Sequence, residues 1–129
     1  MHETQNTLPQ DFIQGLETFN QELFYEAHEY FENAWRQTSG KEREFFRAFL
    51  HLSGGFFRLT QDRPGAALKF FVHSLKWFSV FPGSFFGYRV THIRQHLRQL
   101  MQAIDQNIPP GVILKIHFYP IHPQEGHKA

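Results

Sequence analysis

The chain has no cysteine. That absence removes disulfides, thiol nucleophiles and thiolate metal ligands together, so any metal would have to be held by histidine or carboxylate. A lopsided charge is missing as well, because thirteen Lys and Arg stand against twelve Asp and Glu, a formal net charge of +1. Without a basic excess there is no electrostatic footprint for a phosphate backbone, and no nucleic-acid partner is expected. No apolar run approaches the ~18 residues of a membrane span, so no membrane partner is expected. The opening MHETQNTLPQDF lacks the basic start and apolar stretch of a secretory signal, which gives the expectation of a cytoplasmic protein. Glycine-rich phosphate loops, nucleophile elbows and Walker patterns are also missing.

What the chain does have is phenylalanine. Sixteen Phe in 129 residues supply a large apolar area for one core, and the length sits near the modal size of a single domain. Hydrophobic residues at 41% and charged residues at 19% mark a globular composition.

Apolar residues recur with helical period through most of the chain. A first helix opens at Pro9 or Gln10, with Thr7 as a candidate cap, and carries Phe12, Ile13, Leu16 and Phe19. A second runs from about Glu22 to Gln37, with Phe24, Ala27, Phe31, Ala34 and Trp35 as its stripe and Thr38-Ser39-Gly40 closing it. A third, from about Lys41 to Thr60, has so wide an apolar face that it belongs at the centre. Gly54 and Gly55 inside it cost about 1 kcal/mol each against Ala, which points to close approach of a neighbouring helix. Pro64 leads a fourth helix that ends before Phe81-Pro82-Gly83, and a fifth spans about Tyr88 to Gln106. After Pro109-Pro110-Gly111, Leu114, Ile116 and Phe118 alternate with Lys115 and His117. That reads as an extended segment crossing the bundle, or pairing with its own copy in a homo-oligomer, and the residues from Pro120 on read as disordered. The expectation is an all-α fold in one domain over residues 1–129: a bundle of about five helices built from helical hairpins, its core at about 9–107 and an extended C-terminal tail at 108–129.

A weak internal repeat appears at an offset of 40 residues, where Ala27 meets Ala67, Phe31 meets Phe71, Trp35 meets Leu75 and Arg36 meets Lys76. Each copy would be the second helix of a hairpin, in the manner of tetratricopeptide stacking.

Chemistry concentrates on the second helix. His28, Glu32 and Trp35 fall at i, i+4 and i+7, on one face and beside Phe24 and Phe31, so all three are expected to be largely inaccessible. One reading is a satisfied His–Glu hydrogen bond that sets helix register, with the Trp35 indole in its network. The other is a site, because an imidazole beside a carboxylate is how a general base is tuned and how a metal is held, with His51 joining from the third helix. The run HEYFE departs from the zincin HExxH, and its candidate ligands His28, Glu32 and His51 would suit Zn, Mn or Fe. His92 and His96 repeat the i, i+4 spacing on a polar face and read as solvated, while Arg89, Arg94 and Arg98 form a cationic cluster of the kind ordinary helix surfaces carry.

The stretch from Phe19 to Trp35, with His28, Glu32 and Trp35 as HxxxExxW, resembles the signature of the domain of unknown function 309 family. The resemblance continues through Phe45 to Ser53 and Pro64-Gly65-Ala66, and covers roughly residues 12 to 105. Glu22 stands where the family often has glycine, and His51 where it has glutamine. The resemblance implies an all-α fold and no particular reaction, substrate or cofactor.

Three functions follow from these residues. The leading one is a non-enzymatic helical module that binds a small ligand or a protein partner. A metal-dependent enzyme, plausibly a hydrolase using His28, Glu32 and His51, is the alternative, and a tetratricopeptide-like peptide-binding scaffold is the third.

Overall fold

A computed structural model describes residues 8–124. Six helices follow one another as α1 (Gln10–Asn20), α2 (Phe24–Arg36), α3 (Lys41–Thr60), α4 (Pro64–Phe78), α5 (Val90–Asp105) and α6 (Pro110–His117), with two short strands, β1 (Ser84–Phe85) and β2 (Tyr88–Arg89), ahead of α5. The fold is all-α, as the periodicity requires. Thr7, the expected cap of α1, lies outside the described residues, and Pro9 takes the N-cap position without a side-chain bond.

Each helix packs on the next, α1 on α2, α2 on α3, α3 on α4 and α4 on α5. Helix α3 is central, with ten of its residues buried, including Phe45, Phe46, Phe49, Phe56 and both Gly54 and Gly55. The glycines are there for contact. A Cβ on Gly54 would lie 2.7 Å from the Phe70 ring, and one on Gly55 would fall within 3 Å of the wholly buried Phe71. Gly15 does the same for Phe31, where a Cβ would stand 2.6 Å from the ring.

Gly15 and Gly55, like Phe31 and Phe71, are 40 residues apart, so the repeat is a repeat of whole hairpins: α3–α4 reproduces α1–α2. The turns agree. Glu22, Asp62 and Asn107 all adopt left-handed backbone, with φ of 66°, 60° and 61°. In each turn the following residue, Leu23, Arg63 or Ile108, donates its N–H to the carbonyl five residues back, Thr18, Arg58 or Ala103, at 2.9, 3.0 and 3.1 Å. The left-handed residue itself donates to Phe19, Leu59 or Ile104. This pair of bonds is the Schellman closure of a helix, and it ends α1, α3 and α5 alike. A third hairpin, α5–α6, therefore completes the array with a shortened second helix.

That third hairpin corrects the expected extended tail. Residues 110–117 are helical because Pro110 fits the first helical turn and Ile113, fully buried, packs α6 against α3 and α5. The alternation of Leu114, Ile116 and Phe118 was misleading: Ile113, Leu114 and His117 at helical spacing face inward while Val112 and Ile116 are exposed. The unpaired strand invoked for a homo-oligomer is thus absent. The chain from Pro120 to residue 124 is also ordered as a strap, since the Asn20 side chain donates to the Ile121 carbonyl at 3.0 Å and accepts from its N–H at 2.8 Å.

The strands are a tight hairpin that sequence periodicity did not reveal, turned by Phe86 and Gly87 at φ 52° and 82°, a pair of positive angles typical of two-residue hairpins. It sets Phe81, Phe85 and Tyr88 around the Phe45 ring at 5.4, 4.9 and 6.2 Å.

Candidate functional site

Helix α2 buries Phe24, Ala27, Phe31 and Ala34. His28, Glu32 and Trp35 each come one residue after a buried position, which turns them about 100° round the helix. They occupy the shoulder of α2 rather than its buried stripe, and each is half-buried. The expectation that all three would be inaccessible is therefore corrected.

The His–Glu pair is corrected too. Glu32 Oε2 accepts from the exposed Arg36 at 2.8 Å, an i, i+4 surface pair, while His28 Nδ1 has no partner. Trp35 Nε1 and His51 Nδ1 are likewise shut off from solvent without a hydrogen bond. Three of the four expected site residues thus hold an unsatisfied nitrogen.

Helix α3 supplies the middle of the same face through Arg43, Arg47, His51 and Arg58, all half-buried, and α4 adds Phe70, His73 and Trp77. The guanidinium of Arg47 sits between two indoles, 5.1 Å from the centre of Trp35 and 4.4 Å from that of Trp77. Arg43 lies 4.4 Å over Trp35. Farther along, Arg58 stands 5.4 Å from Phe57 and 5.3 Å from Phe70, and the His51 ring is 5.4 Å from His73. The arrangement alternates cations and aromatic rings, each Arg held by the negative face of a ring; Arg58 also donates to Gln61 Oε1 at 3.0 Å, and Arg47 Nε lies 3.7 Å from Glu44.

Burial is the largest cause lowering the pKa of His51, followed by the electrostatic influence of the neighbouring His73 and Arg47 side chains, and together they bring it to about 4. Burial also lowers His28, against the opposing pull of Glu32 and Glu29. Both imidazoles are neutral at pH 7. As for the expected metal ligands, no group of three or more His, Asp or Glu among the described residues is gathered to hold an ion, so His28, Glu32 and His51 do not form a ligand set.

Arg43, Arg47, Arg58, His73 and Trp77 escaped the sequence reading. Their signal was the i, i+4 run Arg43, Arg47, His51 and the presence of both tryptophans of the chain on one face. The cluster of Arg89, Arg94 and Arg98 is split: Arg94 donates to the Phe78 and Phe81 carbonyls at 3.2 and 2.9 Å and closes the end of α4, leaving Arg89 and Arg98 exposed.

Residues 12–70 match the model of the family described as Domain of unknown function (DUF309). This segment belongs to that family. No curated protein matches the chain. The DUF309 segment runs from the first buried residue of α1 into α4, and so contains the shoulder of α2, all of α3 and Phe70. Glu22 is in the left-handed conformation that glycine adopts without strain. His51 places its ring on the same face, 6.1 Å from Phe70 and 5.4 Å from His73.

Proposed function

We propose that this protein is a non-enzymatic binding module whose α2–α3–α4 face receives an acidic segment of a protein partner. The observation that supports it is Arg47 held between Trp35 and Trp77. Trp and Arg are the residues most often found to dominate binding energy at interfaces, and a guanidinium fixed between rings loses little side-chain entropy when it meets a carboxylate. From Arg43 to Arg58 the face extends about 22 Å along α3, the length of a peptide segment rather than of a small molecule. Its charge balance favours acid: Arg43, Arg47 and Arg58 are half-buried along it, Glu32 is engaged by Arg36, and Glu44 lies 3.7 Å from Arg47 Nε. We place the module in the cytoplasm. Among the described residues no helix is long and apolar enough to cross a membrane, and without cysteine the fold draws nothing from disulfides.

Anisotropy of a fluorescein-labelled peptide of alternating Glu, Asp and Phe tests the reading. The expected result is saturable binding that weakens with salt and falls roughly thirtyfold in Arg47→Ala, a hot-spot loss of about 2 kcal/mol. Equal binding by a correctly folded Arg47→Ala, or preference for single-stranded DNA over the peptide, would contradict it.

A further inference from the structure

A second concavity lies away from the DUF309 segment, between the first turns of α5 and the C-terminal strap. Arg89, His92 and His96 line it from one side, Tyr119 and His122 from the other. Its volume is about 120 Å³, roughly ten times what a single water requires on the same measure. Two shallower concavities adjoin it, and His92 lines all three. Among the described residues no carboxylate lines any of them.

We infer that this concavity is a binding site for a phosphate group, held by Arg89, His92, His96 and His122. Among the described residues the permanent charge in the lining is the Arg89 guanidinium, whose forked donors fit tetrahedral oxyanions. That same charge, with no carboxylate of the described residues beside it, disfavours a divalent cation despite the imidazoles. His96 brings the independent observation: its Nε2 is shut off from solvent with no partner, although the ring lines the concavity. Burial is the largest cause lowering the His96 pKa; the backbone of His117 opposes it, while the His117 and His92 side chains add to it, so the ring meets an anion as a neutral hydrogen-bonding group. The opposite wall is preorganised. The strap is tied on one side to Asn20 through Ile121, and on the other the Gln124 N–H donates to the Gly87 carbonyl at 2.6 Å. His122 and Tyr119 are therefore presented by a fixed backbone rather than by a free tail.

The imidazole resonances of the full chain, followed by long-range 1H–15N NMR, test the site with two probes, inorganic phosphate and methyl phosphate. Saturable shifts of His92, His96 and His122 with either probe support the inference; shifts with both identify the free ion as sufficient, and shifts with methyl phosphate alone identify a phosphate ester. Arg89→Ala should weaken binding at least tenfold, while Arg98→Ala, on the exposed side of the same helix, leaves it unchanged. Asn20→Ala, which releases the strap without touching the lining, should weaken it severalfold. No shift with either probe up to 50 mM overturns the inference, as do equal losses in Arg89→Ala and Arg98→Ala, or shifts with Zn²⁺ and none with phosphate.

Discussion

Replacing Gly55 with alanine is the sharpest test of the repeated hairpin. In an ordinary helix this change stabilises by about 1 kcal/mol, since glycine is the more costly residue. Here the added Cβ would lie 2.6 Å from Cδ1 and 2.8 Å from Cζ of Phe71, a ring with no exposed surface into which to retreat. Overpacking of that kind costs about 1–3 kcal/mol, and contact with several ring carbons at once belongs near the upper end, so the net loss should be about 1–2 kcal/mol. For a domain of this size that lowers Tm by roughly 4–8 °C. The repeat supplies the replicate: Gly15→Ala, with a Cβ 2.6 and 2.7 Å from Phe31, should lose a similar amount. It also supplies the control, because nothing lies within 4 Å of a Cβ at Gly65, and Gly65→Ala should raise Tm slightly. Adding Phe71→Leu to Gly55→Ala should recover part of the loss. Thermal melts by circular dichroism measure all five chains, and the reasoning is refuted if Gly55→Ala and Gly65→Ala both raise Tm.

The three left-handed turn residues predict a ranked gain. Glycine at Glu22, Asp62 or Asn107 should stabilise by about 0.5–1 kcal/mol at Glu22, less at Asp62 and least at Asn107, because Asn tolerates that conformation best; denaturant midpoints would show whether the order holds. The folded pKa of His51, about 4, lies below its ordinary 6.5, so the unfolded chain binds the proton first and stability is lost as pH falls from about 6.5 to 4. Linkage over the full interval amounts to about 3 kcal/mol, which solvent access to the half-exposed ring reduces to roughly 1. His28 adds loss in the same direction, and His51→Gln should flatten the curve of melting temperature against pH; an unchanged curve would show that His51 is not the titrating group. Asn20→Ala should speed amide exchange at Ile121 well over tenfold while leaving Ile113 protected, and uniform protection would show that another contact holds the strap.

Much of this fold was legible because its helices carry long periodic stripes. The bounds of α3 follow from Gly40 and the turn at Asp62, and those of α4 from Pro64. The close approach at Gly54 and Gly55 follows from glycine in a helix interior. Helix α6 was not legible: eight residues offer too few periods to separate 3.6 from 2, and it is the burial of Ile113 against α3 that decides. Among the candidate residues, His28, Glu32, Trp35 and His51 do share one face, but a one-residue displacement from the buried stripe separates a shoulder from a core. Helical spacing alone did not resolve that step. The pairing of Trp35 with Arg47 and Trp77 joins three helices, and no local pattern on any one of them announces it.

Trp35 and Trp77 are the two tryptophans of the chain, and both flank Arg47. Tryptophan emission, excited at the red edge where the four tyrosines do not absorb, therefore reports on the proposed binding face. Titration with the unlabelled acidic peptide should change tryptophan emission with the same Kd that anisotropy gives, and the change should persist in part in both Trp35→Phe and Trp77→Phe. Peptide binding that saturates by anisotropy while tryptophan emission stays constant would place the partner elsewhere and contradict the account.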